Sequence, residues 1–150
     1  MSMIRALSAA SAAALLALAS MGGAAPPEGP KLDVTVTGLH SAKGQLVACL
    51  WREKPGFPSC EKSSTALRRV VPVSGETMHL SLPLPGSGRY AVTVIHDEDS
   101  NGKMKHNFIG MPAEGVGISN NPGGMPGFDK SLVDLSPGGT LTIKMRYLFG

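Results

Sequence analysis

The sequence predicts an all-β domain, an antiparallel β-sandwich of immunoglobulin-like or transthyretin-like type with about seven strands and one long functional loop. Two observations predict the strands. Apolar and polar residues alternate with a period of two in several short segments, and Gly- and Pro-rich turns separate those segments. A third observation argues against a helical domain, since no stretch keeps helical periodicity over ten residues. A closed barrel with the same number of strands is the alternative.

The predicted strands follow one another between turns, and the alternation in each strand defines its inward face. We expect strands at residues 32–37, 44–51, 67–73, 78–82, 90–94, 132–135 and 141–147. The second strand is apolar on both faces, with Leu46 and Leu50 on one side and Val47 and Trp51 on the other. A strand of this kind is covered on both sides, so we expect it to lie centrally in its sheet.

The beginning of the chain has the features of an export signal. A positive charge at Arg5 precedes an apolar stretch, and small residues lead to a cleavage point after Ala24. We therefore expect a signal peptide at 1–24, a linker at 25–30 and one domain at 31–150. The apolar stretch is shorter than the roughly 20 residues that span a membrane, and we expect no span in the mature chain. The predicted location is the periplasm or the extracellular space.

Composition narrows the classes of partner. The chain has 14 Lys and Arg residues against 11 Asp and Glu residues, a formal net charge of +3. A charge this small gives no electrostatic basis for binding nucleic acid. The partners that we expect are a small molecule, a glycan or an envelope protein.

The two cysteines, Cys49 and Cys60, allow a single intramolecular pairing. An oxidising compartment favours that bond. The ten residues between the two cysteines match neither a redox C-x-x-C motif nor a zinc-binding pattern. We therefore expect a structural disulfide.

A segment of more than thirty residues, 97–131, interrupts the strand pattern. Structureless segments of this length are uncommon in compact domains and are usually functional or disordered. Apolar residues in the segment, among them Val116, Ile118 and Phe128, can hold it against the sandwich. We therefore expect an ordered loop that carries the function.

The loop begins with the pattern D-x-D-x-N-G, which is typical of calcium-binding loops because it brings several oxygen atoms to one point. The predicted ligands are Asp97, Asp99, Asn101, the carbonyl of Lys103 and Glu114. The glutamate that closes an EF-hand is replaced by Phe108, so Glu114 takes its place, with Glu98 or Asp129 as alternatives. Without a metal, the same residues would form a tight Asx-turn, or lysines 103 and 105 would neutralise the acidic residues.

The rest of the candidate binding surface surrounds this pattern. Its residues are His96, Glu98, Gly102, His106, Gly110, Pro112, Ser119, Asn120 and Asn121. His96 shares a strand face with apolar residues, which favours a hydrogen-bonded core histidine. The alternative is a copper ligand acting with His106, Met104 and Met111.

A hydrolase is the rival functional class. His96 or His106 would be the base, Asp97 would orient it, and Ser119 would be the nucleophile. No G-x-S-x-G motif surrounds Ser119. We therefore expect a non-enzymatic binding protein, with a periplasmic hydrolase as the alternative.

Three blocks of sequence, taken together, are similar to a known family. They are Tyr90-Ala91-Val92, the run H-D-E-D-S-N-G-K at 96–103 and the run F-I-G-M-P-A-E-G-V-G-I-S-N-N at 108–121. The chain resembles a bacterial exported family known only as a domain of unknown function, over roughly residues 31–148. The resemblance implies secretion and a sandwich-like domain, and it implies no reaction.

Overall fold

The computed structural model describes residues 29–106, 113–123 and 127–148. The predicted signal peptide and most of the linker lie outside these ranges. The elements are β1 (Lys31–Thr37), β2 (Gln45–Trp51), β3 (Leu67–Pro72), β4 (Met78–Pro83), β5 (Gly88–Asp97), β6 (Gly115–Ile118), α1 (Phe128–Ser131), β7 (Val133–Leu135) and β8 (Thr140–Lys144), with a 3-10 turn at Cys60–Lys62. None of the helices among the described residues has the length and apolar character of a membrane-spanning helix.

The strands form two sheets, which confirms the predicted all-β sandwich. One sheet has the order β4-β1-β8, and the other has the order β3-β2-β5-β6. The short strand β7 pairs with the beginning of β5, while β6 pairs with its end. All pairings between these strands are antiparallel except β1 with β8, which is parallel. The prediction of an antiparallel sandwich therefore needs one correction, at the pair formed by the first and last strands.

The central position predicted for β2 is confirmed, because β2 lies between β3 and β5. Its two faces belong to two apolar clusters. Leu46 and Leu50 belong to the main core, which takes residues from both sheets. Val47 and Trp51 belong to a second cluster, on the opposite face of the larger sheet, together with both cysteines and Met104. We call this second cluster the outer core.

The structure corrects the prediction that 97–131 is a single irregular loop. The segment 97–131 contains the strand β6 and the one-turn helix α1. The two glycines of β6 concealed the strand, because Gly115 and Gly117 stand at its buried positions. An added Cβ at Gly117 would lie 2.5 Å from Cγ2 of Ile143, and one at Gly115 would overlap the ring of Tyr147. Side chains from the end of the chain thus fill the space that the glycines leave.

Cys49 and Cys60 form the predicted disulfide. We expect reduction to lower the free energy of unfolding by a little under about 3 kcal/mol, since the bond closes a short loop. The protein should stay folded, because neither cysteine belongs to the main core. Urea denaturation with and without reductant measures the effect. Two free thiols in denatured, unreduced protein, or unfolding on reduction alone, would contradict this account.

Candidate functional site

The candidate residues gather at the end of β5 and fall into two groups. Successive side chains of a strand point to opposite faces of its sheet. His96 and Glu98 lie on one side, while Asp97 and Asp99 lie on the other. The structure therefore divides the predicted site into two. We call Asp97, Asp99 and Glu114 the carboxylate cluster, and His40, His96, Glu98 and Tyr147 the histidine cluster.

The carboxylate cluster is centred on Asp97, whose side chain is fully buried. Its Oδ1 accepts a hydrogen bond from the backbone N–H of Asn101 at 3.1 Å. Its Oδ2 accepts two more, from the N–H of Gly102 at 2.7 Å and from Nε2 of Gln45 at 2.8 Å. Asp97 thus fastens the start of the loop to the start of β2. Gln45, which faces Asp97 across the β2–β5 pair, was not predicted because its amide gives no local signal in the sequence.

Three carboxylates converge at this point. One oxygen from each of Asp97, Asp99 and Glu114 lies within 4.8 Å of the others. Glu114 comes from the turn just before β6, so the antiparallel pairing of β5 with β6 brings it beside Asp97. Its exposed fraction is 9%, and its Oε2 accepts a hydrogen bond from the backbone N–H of Lys105 at 3.1 Å. The structure thus brings Glu114 together with Asp97 and Asp99.

The charges of the cluster act on one another. Burial raises the pKa of the Glu114 carboxyl, and the negative charges of Asp97 and Asp99 raise it further. The ammonium group of Lys105 pairs with the Asp99 carboxylate. That contact lowers the pKa of Asp99 and raises the pKa of Lys105. Within the described residues, one ammonium group, that of Lys105, thus pairs with the three carboxylates of the cluster.

The remaining predicted ligands take part in a turn. The side-chain oxygen of Asn101 accepts a hydrogen bond from the backbone N–H of Lys103 at 2.8 Å. Ser100 and Gly102 adopt the left-handed conformation, with φ of 56° and 77°. These features are those of an Asx-turn. The side chain of Lys103 is exposed.

The histidine cluster is centred on His96, which is fully buried. Its Nε2 lies 2.8 Å from the carbonyl oxygen of Lys43, and its Nδ1 lies 2.7 Å from the hydroxyl of Tyr147. A carbonyl only accepts, so Nε2 donates, and in that tautomer Nδ1 accepts from the Tyr147 hydroxyl. His96 is therefore a hydrogen-bonded core histidine. Burial also raises the pKa of the Tyr147 hydroxyl.

His40 completes this cluster from the β1–β2 connection. Its ring stacks on the ring of Tyr147, with centroids 3.7 Å apart. Its Nε2 contacts Oε1 of Glu98, and that oxygen lies 3.7 Å from Nδ1 of His96. Sequence reasoning did not identify His40 or Tyr147, because both lie far from the 97–131 segment along the chain. The one sequence feature that could have suggested a role for His40 is that a histidine occurs in the turn between two predicted strands.

The copper grouping is divided by the larger sheet. Met104 is buried in the outer core, where its sulfur accepts a hydrogen bond from the Ser59 hydroxyl at 3.8 Å. His96 faces the opposite side of that sheet, and His106 is exposed. Met111, Gly110 and Pro112 lie outside the described residues.

The hydroxyl of Ser119 forms hydrogen bonds to the backbone of two other segments. Its hydroxyl donates to the carbonyl of Ser131 at 2.6 Å and accepts from the N–H of Val92 at 2.8 Å. In the described part of the chain, no contact joins Ser119 to a histidine. The neighbouring Asn120 donates from its side chain to the carbonyl of Lys130 at 2.8 Å, and Asn121 continues the left-handed turn with a φ of 42°. These residues attach the end of β6 to α1.

Comparison with known proteins identifies a family and no individual relative. No curated protein and no solved structure matches the chain significantly. A family described as an uncharacterized protein conserved in bacteria (DUF2141) matches residues 34–143. This range includes the carboxylate cluster and, apart from Tyr147, the histidine cluster. The chain therefore belongs to this uncharacterized bacterial family.

Proposed function

We propose that the protein is an exported, non-enzymatic binding module and that its carboxylate cluster binds calcium, which stabilises the segment 97–131. The observation that carries this proposal is the convergence of three carboxylates, from Asp97, Asp99 and Glu114, within 4.8 Å. Calcium takes oxygen ligands and tolerates irregular geometry. The disulfide supports export, because such bonds persist in oxidising compartments.

Preorganisation supports the proposal. Asp97 is held by three hydrogen bonds from its neighbours, so little ordering of that carboxylate remains to be done when an ion binds. The electrostatic balance also favours a cation, since among the described residues the only ammonium group paired with the three carboxylates is that of Lys105, which contacts Asp99. A divalent ion would displace that group from Asp99 and remove the repulsion that raises the pKa of Glu114.

Competition from Lys105 and from protons limits the affinity. We expect a dissociation constant in the range of extracellular calcium modules, about 10⁻⁴–10⁻³ M. The pKa of Glu114 is raised, so its carboxylate takes up a proton at a higher pH than an ordinary glutamate. Calcium affinity should therefore fall as the pH drops through that raised pKa.

Thermal unfolding tests this proposal. Calcium added to chelator-treated protein at ten times its dissociation constant should stabilise the fold by about 1.4 kcal/mol, which raises Tm by a few degrees. Asp99→Asn should abolish the shift and make residues 97–131 more sensitive to limited proteolysis. Asp134→Asn is the matched control, since Asp134 is an exposed aspartate on β7, outside the cluster.

Lys105→Ala separates calcium binding from neutralisation by lysine. If calcium and Lys105 compete for Asp99, this variant should bind calcium more tightly than the wild type. Magnesium at the same concentration controls for ionic strength. An unchanged Tm with calcium in both the wild type and Lys105→Ala would refute the calcium site and leave a metal-free turn.

A further inference from the structure

We propose that the histidine cluster is a second metal site, which binds zinc through Nε2 of His40, Nδ1 of His96 and the carboxylate of Glu98. This site lies on the side of β5 opposite the carboxylate cluster and does not depend on the calcium proposal. Two imidazoles and one carboxylate form a donor set that proteins use for zinc, with a fourth position left for water or another ligand.

The spacing of the donor atoms suits a single ion. The three ligand atoms all lie within 4.8 Å of one another. Tetrahedral zinc with bonds of 2.0–2.2 Å holds its ligand atoms about 3.3–3.6 Å apart. Nδ1 of His96 and Oε1 of Glu98 are already separated by 3.7 Å. His40 contacts the same oxygen of Glu98 from an exposed turn, so a small shift of its ring would admit the ion between them.

The buried ligand is already oriented. Zinc-binding histidines commonly donate their second ring N–H to a backbone carbonyl, which fixes the tautomer and the ring orientation. His96 has this arrangement, because Nε2 donates to the carbonyl of Lys43 at 2.8 Å. Its Nδ1 therefore carries the lone pair and faces the hydroxyl of Tyr147. Zinc would replace the Tyr147 hydroxyl as the partner of Nδ1. Either that hydroxyl oxygen, after moving aside, or a water molecule would then occupy the fourth coordination position of the zinc ion.

The two clusters should select different ions. The carboxylate cluster offers oxygen donors alone, which suit calcium. The histidine cluster offers two nitrogen donors, which suit zinc and bind calcium poorly. The alternation of side chains along β5 thus places a hard site and a borderline site on opposite sides of one strand end.

Zinc titration of the mature chain, by calorimetry and by competition with a chromophoric chelator, tests the proposal. We expect one strongly bound zinc ion per chain. His40→Phe retains a ring to stack on Tyr147 but removes the nitrogen ligand, and Glu98→Gln preserves the side-chain shape. Both residues are at least partly exposed, so both variants should fold. Each should weaken zinc binding at least tenfold.

Matched controls separate this site from adventitious binding. His79→Phe removes a histidine of β4 that instead contacts Thr35, and it should leave zinc affinity unchanged. Asp99→Asn should also retain zinc affinity while losing the calcium response. The zinc proposal and the calcium proposal can therefore be refuted separately. Imidazole ¹⁵N spectra should show zinc-induced shifts at Nδ1 of His96 and Nε2 of His40. Absence of zinc binding, or wild-type affinity in both His40→Phe and Glu98→Gln, would overturn the proposal.

Discussion

Asp97→Ala is expected to lower the free energy of unfolding by about 3 kcal/mol. The side chain is fully buried, and its two oxygens accept three hydrogen bonds, from Asn101, Gly102 and Gln45. Hydrogen bonds to a charged group contribute more than neutral ones, and the donors that remain must find water or stay unpaired. Urea denaturation in the presence of chelator measures the loss without any contribution from calcium.

Asp99→Ala is the matched control for this prediction. It removes the same chemical group two residues further along, where the carboxylate is exposed and pairs with Lys105. We expect a much smaller loss of stability, because exposed ion pairs contribute little. Equal losses in the two variants would show that Asp97 acts only through charge and would contradict its role in fastening the loop to β2.

Gly44→Ala is expected to cost about 4 kcal/mol, enough to unfold a marginally stable domain. Gly44 has a φ of 70°, in the left-handed region that non-glycine residues disfavour. A Cβ there would also overlap the carbonyl oxygen of Asp97 and lie 2.5 Å from Cα of Glu98. These are backbone atoms of the strand end that carries both clusters, so relief of the overlap requires β5 and the β1–β2 connection to separate.

Gly138→Ala isolates the cost of the backbone conformation. Gly138 has a similar φ of 79°, but an added Cβ would meet no atom within 4 Å. We expect this variant to lose about 1–2 kcal/mol, the ordinary penalty for a left-handed residue. The difference between the two variants then measures the close approach at Gly44. If both variants lose the same amount, the close packing at Gly44 is not what holds the strand end in place.

Local signals were sufficient for most of the fold. The period of two predicted the principal strands, because burial of one sheet face imposes that period on the sequence itself. The two apolar faces of β2 predicted its central position for the same reason. Cysteine count and spacing predicted the disulfide between Cys49 and Cys60. The parallel pairing of β1 with β8 could not be predicted, because alternation is the same in parallel and antiparallel half-buried strands.

The candidate site could be predicted only in part. The D-x-D-x-N-G pattern located the acidic residues after β5, because these residues are neighbours along the chain. The structure brings Glu114 beside Asp97 and Asp99 through the pairing of β5 with β6. Gln45, His40 and Tyr147 come from β2, the β1–β2 connection and the segment after β8. No spacing in the sequence connects them to residue 96 or 97.

The sequence by itself determined the all-β class, the disulfide and the position of the acidic turn, since each depends on composition or on short-range periodicity. Only the tertiary structure decided that the end of β5 carries two clusters and that Gly115 and Gly117 belong to a strand. It also decided that the Ser119 hydroxyl forms hydrogen bonds to backbone groups. Each of these depends on which distant segments pack against β5. Strand pairing brings such segments together through contacts that leave no regular pattern in either segment alone.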